Sequence, residues 1–199
     1  MARAISIATP VGRARARVIA AQDPWAALVL GHGAGGGTDA PDLRAARDAA
    51  LVAGVSVALV EQPYRVAGRR SPAPAPRLDE AWLAVVARLT AGPLDGLTLI
   101  VGGRSSGARV ACRTAADCGA TAVLCLAFPL VSPKGVSRQD ELDLPHVPVL
   151  VVQGMTDRFG MPSAAPGREV VRVRGDHGLK SDIQAVRDAV SEWLRRRPR

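Results

Sequence analysis

Short apolar runs that alternate with helix-patterned segments restrict the fold of this chain more than any other feature. AALVLG (26–31), VSVALV (55–60), LTLIVG (97–102), TAVLCLAF (121–128) and VPVLVVQG (147–154) are almost continuous in Val, Leu, Ile and Ala, and REVVRV (168–173) reads as a last strand. Strands that are apolar on both faces are buried on both faces, which points to a parallel sheet covered by helices. Parallel strands also need crossover connections, and helical patterns lie between the runs. Asp39 is expected to cap a helix over roughly 41–53, with Leu43, Ala46, Ala50 and Ala53 at helical spacing. Leu78, Trp82, Val85 and Leu89 mark a second helix, GARVACRTAADC (107–118) a third, and Ile183, Val186, Val190 and Trp193 a closing one from about Ser181. Alternation in AISIA and ARVIAA around Pro10-Val11-Gly12 predicts an N-terminal antiparallel hairpin. QPYRVAGRRSPAPAP (62–76) reads as an irregular Pro/Gly/Arg loop, and the connection from Phe128 to Val147 is short and poorly patterned. The predicted fold class is α/β: one domain over 1–199, with a mostly parallel sheet, helices on both faces and a leading hairpin.

The net charge of +8 invites a nucleic-acid reading, but its distribution argues otherwise. Arg3, Arg13, Arg15 and Arg17 occupy an acid-free start, and Arg195, Arg196, Arg197 and Arg199 an acid-free end. Between them, 18 basic residues face 18 acidic ones, so no specific nucleic-acid face is expected, and the excess charge is expected to lie away from the catalytic loops. Six aromatic residues make base-stacking platforms improbable. No apolar run approaches the roughly 20 residues of a membrane span, and AISIATPVG, broken by Thr9 and Pro10 and followed by RARAR, is a poor secretory signal. Cys112, Cys118 and Cys125 have no metal-ligand spacing and read as reduced thiols of a cytoplasmic protein.

In sheets of this type ligands meet the carboxyl ends of the strands, and four strand ends carry unusual residues. After LTLIV, Gly103-Arg104-Ser105-Ser106-Gly107 matches G-x-S-x-G between a strand and a helix, where a tight turn lifts a nucleophilic hydroxyl above the sheet. Asp157 follows the strand VPVLVVQG, 52 residues beyond Ser105, and His177 follows REVVRV, 20 residues further on. Each alone is an ordinary turn residue. Their order, Ser then Asp then His, each after its own strand, is that of hydrolases on this sheet. Asp176 is the competing acid, but its adjacency to His177 points the two side chains apart. The loop His32-Gly33-Ala34-Gly35 is expected to supply an oxyanion donor from Ala34, paired with the N–H of Ser106. Gly31-His32-Gly33-Ala34-Gly35-Gly36 also satisfies G-x-G-x-x-G, with Glu61 placed 25 residues after Gly36, as in a dinucleotide-binding fold. Against this rival, the helix is expected to start only near Pro41, and Ser105, Asp157 and His177 would be left without a role.

The strings GHGAGG (31–36), PYRVAGRR (63–70), GGRSSGARVA (102–111), LAFPL (126–130), VVQGMTDRFG (151–160) and RGDHGLK (174–180) resemble the α/β-hydrolase superfamily. More narrowly, they resemble its short, lid-less branch near the dienelactone hydrolases, which includes testis-expressed-protein-type hydrolases and the hydrolase-like domain of a chromatin NSL-complex subunit. The resemblance implies an eight-stranded-type sheet with Ser105 as nucleophile, His177 as base and Asp157 as the acid that orients it. Dienelactone hydrolases proper carry a cysteine where this chain has Ser105. The expected function is therefore a serine hydrolase of an ester-like small molecule, with no cofactor and no metal. His32, Arg65, Arg69, Arg70 and Arg104 are candidate substrate contacts, the arginines through bidentate contact with a carboxylate or phosphate. The alternative of another class is a non-catalytic interaction module on the same fold.

Overall fold

The computed structural model describes residues 2–198. The chain begins with β1 (Ala2–Thr9) and β2 (Gly12–Ile19), an antiparallel hairpin around Pro10-Val11 as the alternation predicts. β3 (Ala26–Gly31), α1 (Pro41–Val52) and β4 (Val55–Glu61) form the first crossover unit. A short helix α2 (Pro63–Val66) and the long α3 (Ala75–Thr90) lead to β5 (Thr98–Arg104). The remainder alternates α4 (Ser106–Thr114), β6 (Ala122–Leu126), α5 (Gln139–Asp143), β7 (Val149–Gly154), β8 (Arg168–Val173) and α6 (Ile183–Arg195).

These strands make one eight-stranded sheet in the order β1-β2-β4-β3-β5-β6-β7-β8. β3 to β8 run parallel, and the hairpin joins antiparallel through β2 on β4. Alternate strand residues serve opposite faces. Val29, Val101 and Val151 pack with Trp82, Leu89 and Val110 beneath α3 and α4. Leu28, Ile100 and Leu150 pack with Leu43, Val190 and Trp193 beneath α1 and α6. A buried Leu or Val side chain contributes about 1.5–3 kcal/mol relative to exposure, so two full faces of them hold the sheet between its helices. The connection from β6 to β7 holds α5 as its one helix among the described residues, too short for a covering lid.

Three local expectations change. Asp39 caps nothing: α1 starts after Ala40 with no side-chain cap, and Asp39 instead pairs with Arg17 at 3.4 Å. The stretch 62–76 is not wholly irregular, because Pro63 opens α2 and Ala75-Pro76 open α3. Proline lacks an N–H that the first helical turn leaves unused anyway, so here it starts helices instead of breaking them. The unpatterned connection before β7 likewise holds a single turn, α5.

The connection from β3 leads to β4 on one side, and the next returns to β5 on the other side of β3. Ligands bind at such a switch point, outside the carboxyl ends of the strands. Gly31 and Gly103 are register partners there, so the loops after β3 and β5 leave the sheet side by side.

Candidate active site

The turn from β5 into α4 is held in an unusual backbone conformation. Ser105 has φ 51° and ψ −108°, outside the regions ordinary side chains prefer, a strain of about 1–3 kcal/mol that packing must offset. The packing is visible at the neighbouring glycines. A Cβ on Gly103 would lie 2.6 Å from the Gly31 carbonyl oxygen, and one on Gly107 2.4 Å from the same atom. Both positions must lack a side chain for β3, β5 and α4 to approach this closely. The Ser105 N–H donates to the Leu126 carbonyl at 2.9 Å, which fixes the turn from the β6 side.

Above this turn the three candidate side chains meet. His177 Nε2 lies 2.9 Å from Ser105 Oγ, and His177 Nδ1 lies 2.8 Å from Asp157 Oδ2. A carboxylate only accepts, so Nδ1 carries the hydrogen and Nε2 is left to accept from the serine hydroxyl. The Asp157 side chain is fully buried, and the His177 ring keeps 19% of its surface exposed. Asp157 Oδ1 accepts from the Phe159 N–H at 2.9 Å, and Oδ2 accepts a second bond from Gln153 Nε2 at 2.8 Å. Phe159 also sets its ring edge-on to the imidazole, 4.6 Å between centroids. Gln153 and Phe159 stand in VVQGMTDRFG, but nothing in the string distinguishes them from a strand residue and a turn residue. Asp176 turns away from the imidazole and accepts from the Gly178 N–H.

Ala34 and Ser106 carry backbone N–H groups that, among the described residues, take no backbone acceptor. The Ala34 carbonyl accepts from the Tyr64 hydroxyl at 2.8 Å, which holds the loop after β3 against α2. Burial pushes the Tyr64 phenol up to about 12 against the opposing charge of Arg65, so Tyr64 remains a donor.

His32 and Arg104, expected to face a substrate, are both committed internally. His32 is buried: Nδ1 pairs with the Gly33 carbonyl at 2.8 Å, and Nε2 accepts the Gln62 N–H at 3.1 Å. Burial lowers its affinity for a proton, in keeping with a neutral ring that uses both nitrogens. The Arg104 guanidinium sits 2.9 Å from the Asp42 carboxylate and donates to the His177 carbonyl at 3.0 Å. Burial pushes the Asp42 carboxyl up, while Arg104 and the Leu43 N–H pull it back. Arg104 thereby ties the histidine loop to the start of α1. Arg69 and Arg70 line a separate groove with Tyr64, and Arg65 on α2 reaches toward the Arg69 carbonyl.

The dinucleotide reading meets a structural obstacle. α1 begins at Pro41, and its first turn carries buried Asp42 where a pyrophosphate would need bare N–H groups. Among the described residues, no three His, Cys, Asp or Glu side chains cluster as a metal site, and no helix is long and apolar enough to cross a membrane. The three cysteines are free thiols.

Comparison with known proteins agrees with this architecture. The chain is similar over nearly its full length to a lid-less α/β serine hydrolase from Xanthomonas campestris, with TM-score 0.80, 22% identity, and 98% of this chain and 94% of that one covered. It is also similar to a dienelactone hydrolase from Anabaena variabilis (TM-score 0.77, 18% identity, 100% and 99% covered) and to Est1E from Butyrivibrio proteoclasticus (0.76, 17%, 96% and 97%). No curated protein sequence matches the chain. The sequence model of the alpha/beta hydrolase domain matches residues 24–189, from just before β3 into α6, and the chain belongs to that family.

Proposed function

We propose that the protein is a serine hydrolase that cleaves an ester-like bond, carboxylester or thioester, in a small molecule through an acyl-enzyme. The observation that carries this reading is the unbroken line Asp157–His177–Ser105, with links of 2.8 and 2.9 Å, ending on a serine held at positive φ. His177 takes the Ser105 proton on Nε2 as Oγ bonds to the substrate carbonyl carbon, and Asp157 stabilises the resulting imidazolium. The carbonyl oxygen becomes an oxyanion facing the Ala34 and Ser106 N–H groups, donors placed before the charge develops. Collapse breaks the bond to the leaving group, which departs with the proton from His177. Water then loses a proton to the same Nε2 and attacks the acyl carbon, the acyl–Oγ bond breaks to release the acid, and His177 returns the proton to Ser105 Oγ. Gln153 and Phe159 act one step back, holding Asp157 and the imidazole in register.

The test is labelling by a fluorophosphonate probe on the folded protein. Wild type should form one adduct, and Ser105→Ala none, with ester turnover reduced by up to about 10⁶-fold. An adduct that survives in Ser105→Ala would overturn the assignment.

A further inference from the structure

A concavity of about 1040 Å³ lies beside the candidate active site, between the tip of the hairpin and the segment from α2 into α3. Arg13, Arg69, Arg70 and Arg77 line it, and among the described residues no acidic one does. Among the described residues none of the four has a carboxylate partner. Other arginines of the chain are neutralised: Arg109 by Glu141, Arg113 by Asp79 and Glu141, and Arg168 by Asp143. Of the hairpin arginines, Arg13 therefore does not stand apart, because folding seats it in the groove with Arg69 and Arg70, while Arg15 and Arg17 pair with Glu61 and Asp39.

Charge number decides what such a groove fits. A single carboxylate would meet one of four guanidinium groups, whereas each phosphate monoester brings about −1.5 to −2 and oxygens that match the guanidinium fork. Size argues the same way. Ligand pockets of about 300–1,000 Å³ suit drug-sized molecules, so this groove exceeds a free phosphate and suits a nucleotide. Its other wall is apolar, from Val11, Val66 and Leu78, with Tyr64 alongside. Gln62, 5% exposed, also lines it, and its Oε1 is buried without a protein partner.

We propose that this groove binds a phosphate-bearing small molecule of nucleoside-diphosphate size, as the leaving-group end of the substrate. The groove lies at the carboxyl end of β4 and Ser105 at that of β5, with β3 between them. Two strand spacings separate those ends, about 10 Å, a span that an extended substrate crosses. Tyr64 joins the two sites physically, since it lines the groove and bonds the Ala34 carbonyl. Binding in the groove stands on the arginines alone, and only its role as a leaving-group site rests on the serine-hydrolase reading.

Calorimetric titration of the full chain tests it, with ADP, inorganic diphosphate and benzoate as probes. ADP should saturate wild type and Ser105→Ala with equal affinity, since that variant removes the nucleophile and leaves the groove. Diphosphate should bind more weakly than ADP, and benzoate should not saturate. Arg70→Gln combined with Arg77→Gln should weaken ADP at least 10-fold. Arg13→Gln should weaken it separately, and Arg44→Gln, an exposed arginine on α1, should leave it unchanged. No saturation by ADP, benzoate binding equal to ADP, or an equal loss in Arg44→Gln would each overturn the proposal. Fluorophosphonate labelling reads Ser105 independently, so failure of one reading does not imply failure of the other.

Discussion

Two glycine-rich loops leave the carboxyl edge of the sheet side by side, Gly31–Gly37 after β3 and Gly102–Gly107 around the end of β5, and their glycines do different work. In the second loop a Cβ on Gly103 or Gly107 would sit 2.6 or 2.4 Å from the Gly31 carbonyl oxygen. In the first, Gly35 and Gly37 have nothing within 4 Å of where a Cβ would stand. The glycines of the serine turn exist so that three elements can touch, and at the start of the first loop a Cβ on Gly31 or Gly33 would also meet Trp82 at 3.2 Å or Arg104 Nη1 at 2.8 Å, whereas Gly35 and Gly37 span open space. The two loops nevertheless read alike as strings, and the first even satisfies a nucleotide-binding pattern. A glycine pattern thus becomes informative only when the neighbouring backbone is known.

The largest expected effect comes from filling the crowded side. In Gly107→Ala the new methyl meets the Gly31 and His32 carbonyl oxygens, at 2.4 and 2.9 Å, and both are backbone atoms. Overpacking of this kind costs about 3 kcal/mol or more, or a fall in Tm of about 6–12 °C for a chain of this size. β3 and α4 can relieve the clash only by moving apart, which carries the Ala34 and Ser106 N–H groups away from each other. A displacement near 1 Å costs about 100-fold in turnover, and ester kinetics with thermal melts would read both. A Gly107→Ala protein with wild-type turnover would end the distinction between the loops.

From the serine turn Arg104 reaches Asp42 at the start of α1 and the His177 carbonyl, and Asp42→Asn probes that link. The substitution keeps an acceptor for the Leu43 N–H but removes the charge facing the guanidinium at 2.9 Å. Loss of a charge-assisted contact costs about 2 kcal/mol, and kcat should fall more than KM rises because Arg104 also holds the His177 carbonyl. An unchanged kcat beside a lowered Tm would show that Arg104 supports the fold and not the histidine.

That link also marks where sequence reading ends. The strands are legible because burial on both faces leaves a continuous apolar trace, and Ser105, Asp157 and His177 because each follows its own strand. Asp42 stands in the first turn of α1, where an acid carries no special signal, and only the approach of Arg104 at the end of β5 gives it a partner. Asp39 looked like a cap, but nothing local says that the chain enters α1 from Ala40 with Asp39 turned toward Arg17. Prolines 63 and 76 looked like breakers because their sense depends on whether a helix follows. Gln153 and Phe159 gain their roles from Asp157 and His177, contacts with no spacing signature. What was missed is consistently the partner of a residue and not its neighbourhood.

A smaller effect should follow from pH, through the anchor of the open loop. The Gly31–Gly37 loop is fixed less by its glycines than by neutral His32, whose Nε2 accepts the Gln62 N–H. Burial holds its folded pKa below the ordinary 6.5. A base with a depressed folded value contributes stability that is present above the unfolded pKa and lost as pH falls through the folded one. The Tm difference between wild type and His32→Asn should therefore be greatest near pH 8 and shrink steadily toward pH 5. A difference that stays constant across that range would sink the anchoring role.

The smallest effect, and one of opposite sign, is expected in the open loop itself. Gly37 has no atom within 4 Å of a prospective Cβ, and its φ lies outside the left-handed region that excludes other residues. Gly37→Ala therefore adds no clash, while it narrows the conformations of the unfolded chain. Substitutions of that kind stabilise by about 0.4–1 kcal/mol, which for a chain of this length raises Tm by about 1–4 °C. Turnover should stay at the wild-type level, because Ala34, held by Tyr64, lies three residues upstream. If Tm rises while turnover falls, the loop must bend during the reaction, and its glycines serve motion. If both stay high, the glycines after Ala34 are there only to span the gap from β3 to α1, and the steric demand for glycine lies at the serine turn and at Gly31 and Gly33 packed beside it.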